Sequence, residues 1–210
     1  MEARRVQRFD TTARLVHWSF TVLFVALLCT GAVVAIPLLS ETVGRRELVR
    51  RVHITAGLVL LSLPLLVALV GNRAAMRADL REIDNFDAED WRFLRRRPSR
   101  PGRFNGGQKA NAIVTATASV LLLVSGVVMW RWPLFPRAWR AGAINLHQFL
   151  TVLMIPLVVG HVYLSAFHRS TRHALRGMIG GWVDREWASE HHPRWDAIQA
   201  EDPPSHPGST

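Results

Sequence analysis

Four histidines lie within or at the edge of strongly apolar segments: His17, His53, His147 and His161. An ionisable side chain inside a membrane-spanning segment is costly, so such residues are functional candidates by default. Two imidazoles on opposite sides of a porphyrin iron are the axial ligands of a six-coordinate haem. The other five histidines all follow residue 167, near a segment end or in the tail, and are predicted to be solvated surface residues.

The elements that must position these histidines are four blocks without Asp, Glu, Lys or Arg: residues 18–39, 54–72, 110–130 and 141–167. An uncharged apolar run of about 18 residues or more is a transmembrane helix candidate. We therefore predict an all-α fold, an integral membrane four-helix bundle. Its helices are expected over residues 14–39, 51–72, 108–130 and 144–168, within a bundle domain of residues 1–180 that is followed by a cytoplasmic tail of residues 181–210.

The formal net charge of +10 comes almost entirely from arginine, since the chain has a single lysine. The arginines flank the predicted spans, so membrane lipid rather than nucleic acid is the expected partner. The two termini and the second-to-third connection together hold 19 of the 26 basic residues. The positive-inside rule therefore predicts that both termini are cytoplasmic. Against this trend, Arg45, Arg46, Arg50 and Arg51 crowd the first outer connection.

Helix geometry sorts the four histidines into two levels. Fourteen residues separate His147 from His161, and fourteen residues of helix turn through roughly 1,400° and rise about 21 Å. These two residues therefore face the same way at two depths. With the predicted helix directions, His53 is level with His147 and His17 is level with His161. We call His53–His147 the outer pair and His17–His161 the inner pair.

Two level pairs of facing imidazoles predict two haems. The sequence contains no C-x-x-C-H, which excludes covalent attachment and leaves non-covalent haem b. Gly31 and Gly57 share the outer level, where small residues could let a porphyrin approach closely, although they also serve helix packing. A zinc site is the main metal alternative, but its ligands would have to converge on one point. The single cysteine, Cys29, is predicted to be a buried packing residue.

Several stretches of the chain resemble the gamma subunit of membrane-bound formate dehydrogenase, which is the cytochrome b subunit of that complex. The chain also lies near the cytochrome b subunits of nickel-iron hydrogenases. The stretches are RFDTTARLVHWSFTVLFVALLCTG, RRVHITAG, FNGGQK, INLHQF, GHVYLSAF and RGMIGGWVDREWASEHHPRW, and they cover most of the chain. The last of them is the most specific to the formate dehydrogenase type.

The resemblance implies that the four histidines identified above are the axial ligands of two b haems. It also implies a quinone, either menaquinone or ubiquinone, beside the turn that precedes the third helix. There Asn105 and Gly107 are the implied contacts. Without the resemblance, Asn105 is interpreted as a helix cap. Lys109, Asp84 and Asp87 are candidate proton donors by location only.

The implied partners are an iron-sulfur beta subunit and a formate-oxidising alpha subunit that carries molybdenum or tungsten. In this hypothesis the chain lies in the bacterial inner membrane and transfers electrons from the iron-sulfur partner to quinone. It carries no formate chemistry itself, so whether it counts as an enzyme is left open. Two alternatives remain: the same role for a nickel-iron hydrogenase or another molybdoenzyme, or a membrane anchor without haem.

Overall fold

The computed structural model describes residues 5–195, and most of these residues are helical. The α-helices are α1 (Thr11–Ala35), α2 (Pro37–Val43), α3 (Arg46–Val70), α4 (Arg73–Asp84), α5 (Ala88–Leu94), α6 (Gly106–Trp130), α7 (Arg137–Val162), α8 (His173–Gly180) and α9 (Arg185–His191). A 3-10 turn (Trp132–Leu134) precedes α7, and a π-helical turn (Tyr163–Phe167) extends it. Two short strands, β1 (Arg5–Gln7) and β2 (Trp182–Asp184), pair antiparallel.

Four of these helices are long and apolar enough to cross a membrane: α1, α3, α6, and α7 with its π-helical extension. The helices α1, α3 and α6 have 25 residues each. At 1.5 Å per residue such a helix is about 37 Å long, which exceeds the roughly 30 Å of a bilayer's hydrocarbon core. The predicted all-α membrane four-helix bundle is therefore confirmed. The cytoplasmic location of both termini stays a prediction.

The first membrane helix ends at Ala35, four residues before its predicted end at residue 39. The cause is Pro37, because a residue that precedes proline is forced out of the helical conformation. Ile36 accordingly has an extended backbone, with φ −98° and ψ 114°. Pro37 then starts the short helix α2, which ends at Gly44 in the left-handed conformation with φ 66°.

The fourth membrane helix begins at Arg137, seven residues before its predicted start at residue 144. The predicted start lies within the uncharged block, but the first turn also accommodates Arg137, which is exposed, and Arg140, whose guanidinium lies over the ring of Trp132 at 4.9 Å. Pro136 precedes the helix. The helix therefore extends beyond the uncharged block at the end that carries the outer pair.

The bundle is built from two helix pairs, α1 packed along α3 and α6 packed along α7, with few contacts between the pairs. A buried apolar cluster joins all four helices near their middles: Phe24, Leu60, Ala118, Leu150 and Met154. Along each histidine-bearing helix, the outer pair lies on one side of this cluster and the inner pair lies on the other. The core therefore separates the two candidate sites.

The segment after the last membrane helix folds back onto the N-terminal segment at the inner end. The strand pairing matches Val6 with Val183, and both pack with Ala188 and Trp195 in a small buried cluster. The predicted tail beyond residue 180 thus packs against the N-terminal segment as far as Trp195. Residues 196–210 of that tail lie outside the described residues.

Candidate functional site

The structure brings each candidate histidine beside the partner expected from helix geometry. In the outer pair, His53 on α3 and His147 on α7 have ring centroids 6.3 Å apart and ring planes inclined by 66°. In the inner pair, His17 on α1 and His161 on α7 have centroids 6.2 Å apart and planes inclined by 55°. In both pairs the two rings come from different halves of the bundle.

Both pairs fit the demands of a bis-imidazole haem. Metal–imidazole bonds of about 2 Å put the centres of two rings on opposite sides of one metal roughly 6 Å apart. The ring separations in both pairs agree with this value. Within residues 5–195, no group of three or more His, Cys, Asp or Glu residues gathers as a convergent metal site requires. The geometry therefore fits two axial pairs, and the described residues offer no cluster for the zinc alternative.

Two glycines lie directly against the rings of the outer pair. A Cβ built on Gly31 would lie 3.2 Å from Cε1 of His53, and one built on Gly126 would lie 3.4 Å from Cε1 of His147. The distance at Gly31 is tighter than an ordinary van der Waals contact and the distance at Gly126 is at its lower limit, so a side chain larger than alanine at either position would press on an imidazole. Gly31 behaves as expected in that it lies at the outer level. Gly57 instead faces Leu27, whose side chain would lie 3.8 Å from a Cβ built on Gly57, and serves helix packing.

Two hydroxyl groups contact the same rings, and sequence reasoning missed both. The Oγ1 atom of Thr30 lies 3.0 Å from Nδ1 of His53. The Oγ atom of Ser125 lies 3.0 Å from Nδ1 of His147. A signal was present in the sequence, because LLCTG (residues 27–31) and LLVSG (residues 122–126) share the pattern L-L-x-[ST]-G. Each copy delivers one hydroxyl and one glycine to one imidazole.

The inner pair has different surroundings. Among the described residues, no hydroxyl is hydrogen-bonded to the ring of His17 or His161. The ring of His17 packs edge-on against Trp18, with centroids 5.3 Å apart. The indole Nε1 of Trp18 donates to the carbonyl of Met178 at 3.0 Å, and the guanidinium of Arg14 donates to the carbonyl of Ile179. The inner end of α1 is thus fastened to α8.

The turn FNGGQK starts α6 with a reciprocal cap. Oδ1 of Asn105 accepts from the backbone N–H of Gln108 at 2.9 Å, and Oε1 of Gln108 accepts from the N–H of Asn105 at 3.1 Å. A Cβ on Gly106 would lie 2.5 Å from the carbonyl oxygen of Asp90, so this glycine allows α5 and α6 to touch. A Cβ on Gly107 would lie 3.0 Å from the ring of Phe93. Asn105 is therefore a helix cap in the structure.

The candidate proton donors differ in their environment. Lys109 is buried, and its Nζ donates to Asp90 at 2.7 Å and to the carbonyl of Asn85 at 3.0 Å. Asp87 accepts from Nη1 of Arg194 at 2.6 Å. Burial works to raise the pKa of Asp87, but Arg194 and two backbone N–H groups outweigh it and lower that pKa to about 2. Asp87 is therefore ionised at neutral pH and a poor acid, whereas Asp84 is an exposed carboxylate at the end of α4.

The arginines of the first outer connection are partly engaged within the chain. Glu47 accepts from Arg50 at 2.8 Å and from Arg51 at 3.0 Å. Arg46 donates to the carbonyl of Val34 at 3.2 Å and so links the start of α3 to the end of α1. Cys29, expected to be buried, is exposed on the surface of α1 because it points away from the neighbouring helices.

Four membrane-crossing helices that carry two facing imidazole pairs at two levels define a multi-pass integral membrane protein with the features of a b-type cytochrome. A family model described as prokaryotic cytochrome b561 matches residues 8–181. The chain belongs to this family, and the predicted multi-pass membrane location is confirmed. Membership also supports haem b as its cofactor.

Curated relatives are cytochrome subunits of formate dehydrogenases. The chain is 30% identical over 200 residues to the formate dehydrogenase cytochrome b556(fdo) subunit of Escherichia coli strain K12, covering 90% of this chain and 91% of that protein. It is 28% identical over 199 residues to the formate dehydrogenase cytochrome b556 subunit of Haemophilus influenzae, covering 91% and 82%. It is 24% identical over 203 residues to the nitrate-inducible cytochrome b556(Fdn) subunit of Escherichia coli strain K12, covering 92% and 91%. These matches support the predicted resemblance and an electron-transfer role in a multi-subunit complex.

Proposed function

We propose that the chain is the membrane cytochrome b subunit of a formate dehydrogenase and transfers electrons to a quinone by way of two b haems. The observation that carries this proposal is the presence of two imidazole pairs, with centroids 6.3 and 6.2 Å apart, on either side of one apolar core. The formate assignment rests on the relatives, which match nearly the full length of the chain. When bound, the two haems supply a path for single electrons along the bundle.

Each half of the bundle contributes one imidazole to each haem. His53 and His147 hold the outer haem, and His17 and His161 hold the inner one. Between the two levels, the apolar side chains of Phe24, Leu60 and Met154 are buried. They form an apolar layer between the two levels. The protein's own task is thus to fix two iron ligand pairs at a constant separation.

The proposed partners are the iron-sulfur beta subunit and the molybdenum- or tungsten-containing alpha subunit. They supply electrons at the outer end, and both termini of this chain face the cytoplasm of a bacterial cell. Reduction of quinone consumes two electrons and two protons. If the protons come from the cytoplasm, inward electron flow and proton uptake together build a membrane potential.

The quinone contacts are proposed at Asn105 and Gly107. The cap uses only Oδ1 of Asn105, so its Nδ2 amide hydrogens can donate to a quinone carbonyl. Beside it, the ring of Phe93 lies against Gly107 and offers an apolar wall. A side chain at Gly107 would displace this ring. The turn therefore combines a polar contact with an apolar surface, which a quinone head group and its tail require.

The test is reoxidation of haem in the purified complex after reduction by formate. We expect Asn105→Ala to slow reoxidation by a soluble quinone analogue about tenfold, the cost of losing one hydrogen bond together with the closely fitted turn. Both haems should still bind and be reduced normally. Gly107→Leu should also slow reoxidation with both haems retained. Asn72→Ala is the matched control, because Asn72 caps α4 by accepting from the N–H of Ala75 at 3.1 Å but lies outside the turn.

The outcomes separate a quinone contact from a simple cap. Loss of a cap alone costs about 1 kcal/mol of stability and leaves the reoxidation rate unchanged, as expected for Asn72→Ala. Normal reoxidation in an assembled Asn105→Ala complex would place the quinone site elsewhere. Failure of formate to reduce any haem in the wild-type complex would contradict the formate assignment itself.

A further inference from the structure

The hydroxyl groups of Thr30 and Ser125 occupy equivalent positions in the two halves of the bundle. Thr30 on α1 contacts Nδ1 of His53 on α3, the helix that packs against α1. Ser125 on α6 contacts Nδ1 of His147 on α7, the helix that packs against α6. Both oxygen–nitrogen distances are 3.0 Å. The two halves thus present the outer imidazoles in the same way.

The direction of the proton in these contacts follows from the other bond that each hydroxyl makes. Oγ1 of Thr30 donates its hydrogen to the carbonyl of Ala26 at 2.7 Å. Oγ of Ser125 donates its hydrogen to the carbonyl of Leu121 at 2.7 Å. A hydroxyl has one hydrogen and two lone pairs. Each oxygen therefore accepts from Nδ1–H of its histidine.

This arrangement fixes the tautomer of both outer histidines. With Nδ1 protonated, Nε2 carries the lone pair and is the nitrogen that can bind a metal. The glycine that follows each hydroxyl, Gly31 or Gly126, leaves room for the ring, because a Cβ there would lie 3.2 or 3.4 Å from its Cε1 atom. The hydroxyl therefore orients each ring, and the glycine gives the ring space in that orientation.

A hydrogen bond from Nδ1–H also changes the electronic character of the ligand. An acceptor at this position makes an imidazole a stronger donor to a metal. Stronger donation favours ferric over ferrous iron, and hydrogen bonding to the axial ligands is a recognised control of haem potential. In the part of the chain that the structure describes, the inner histidines have no such hydroxyl partner, so the effect falls on one site.

We infer that Thr30 and Ser125 are positioning residues that orient His53 and His147 and lower the midpoint potential of the outer haem. The inference rests on the proposed haem ligation. Its consequence is directional, because lowering the outer potential favours transfer of an electron from the outer to the inner level. The shared L-L-x-[ST]-G pattern is then the sequence motif that places one hydroxyl and one glycine beside the outer histidine in each half.

The experiment is a spectroelectrochemical redox titration of the purified, haem-loaded complex with Thr30→Val and Ser125→Ala. Each change removes one hydroxyl while keeping a small side chain. We expect the equilibrium for electron transfer from outer to inner haem to fall about fivefold per variant, the equivalent of one hydrogen bond. This corresponds to a rise of about 40 mV in the outer potential, at roughly 59 mV per tenfold for one electron. The inner transition should not move.

Matched controls come from hydroxyls on the same helices. Ser119 is buried and donates to the carbonyl of Thr115 at 2.7 Å, and Thr21 donates to the carbonyl of His17 at 2.8 Å. Neither is hydrogen-bonded to a histidine ring in the described residues. Ser119→Ala and Thr21→Val should therefore leave the outer potential unchanged. Thr30→Ser should restore the wild-type value, because it keeps the acceptor.

The outcomes distinguish this inference from the proposed function. Loss of the outer haem in Thr30→Val but not in Thr30→Ser would also support a positioning role. An unchanged outer potential with both haems bound would overturn the inference and leave the haem ligation intact. Equal shifts of both transitions, or equal shifts in the controls, would overturn it as well. Absence of two haems in the wild-type protein would refute the ligation on which the inference rests.

Discussion

The outer and inner histidine pairs are nearly equal in separation but are held by different means. In the outer pair both rings contact a hydroxyl and a glycine of the neighbouring helix. The inner ring of His17 is set by Trp18 and by the fastening of α1 to α8. The outer site is therefore fixed by packing inside the membrane. The inner site depends on the folded segment at the end of the bundle.

This difference fits the different tasks proposed for the two levels. The outer site exchanges electrons only, and rigid ligands with a defined tautomer suit that role. The inner site lies at the end where the turn at Asn105, the buried Lys109–Asp90 ion pair and the C-terminal segment assemble. A site that serves a two-electron, two-proton reaction needs polar neighbours, and this is where the chain places them.

The largest expected effect is the loss of one haem when an axial ligand is removed. His147→Ala should abolish the outer haem and His161→Ala the inner one, so each variant should keep about half of the haem, since one imidazole alone holds iron poorly. Haem content and the redox difference spectrum measure this. His53→Ala must resemble His147→Ala. A His53→Ala spectrum that resembles that of His161→Ala would show that the pairs are wrongly assigned.

A smaller effect is expected from added bulk at the outer glycines. Gly126→Leu should press on the ring of His147 and weaken haem binding at the outer site about tenfold, in the range of typical overpacking costs. Gly160→Leu is the matched control, since Gly160 precedes His161 and a Cβ there has no neighbour within 4 Å. Titration of the haem-free protein with haem, followed by its absorbance, measures both. If Gly126→Leu and Gly160→Leu weakened haem binding equally, the claim that the outer glycines make room for the imidazole rings would be contradicted.

The third prediction concerns the response of the inner end to acid. Nδ1 of His192 donates to the carbonyl of Gly102 at 2.7 Å. Burial, together with nearby Arg8, lowers the pKa of His192 from 6.5 to about 3. As the pH falls, His192 is therefore protonated in the unfolded segment before it is protonated in the folded one. The folded segment loses stability as the pH falls from 6.5 towards 3. At pH 5 the loss is about 2 kcal/mol.

A second buried group at this end of the molecule, Asp79, has the opposite pH dependence. Burial raises the pKa of Asp79 to about 6 despite its ion pair with Arg103. The stability that Asp79 contributes is therefore fully present below the pKa that Asp79 has in the unfolded chain, and it is lost as the pH rises through 6. This pH dependence is opposite in sign to that of His192. Hydrogen exchange of residues 182–195 should speed up between pH 7 and pH 5 beyond the intrinsic change, and His192→Gln should flatten this response. Unchanged protection in the wild type would contradict the assignment, and the outer haem spectrum should stay constant throughout.

The sequence predicted the membrane helices and the histidine pairs because both depend on simple periodic features. Uncharged apolar runs reveal the spans, and the spacing of His147 and His161 places them on one helix stripe. Helix ends were less predictable, since Pro37 ended α1 early and the charged turn at Arg137 joined α7. These outcomes depend on local backbone preferences at single residues.

Thr30 and Ser125 could not be identified in the same way. A hydroxyl inside a helix ordinarily bonds the carbonyl four residues earlier, and both of these residues do so. Their second contact exists only because α1 packs on α3 and α6 packs on α7. The capping role of Asn105, by contrast, was predictable from the sequence alone. A quinone contact at Asn105 depends on which side chains pack around the turn, and the sequence does not give that packing.

The central claim is that this chain binds two non-covalent b haems, one at each histidine pair. The most direct test is the haem-to-protein ratio of the purified wild-type chain, measured as the pyridine haemochrome before and after extraction with acidic acetone. We expect two haems per chain and complete release by the extraction. One haem per chain, or haem that stays on the polypeptide, would contradict it.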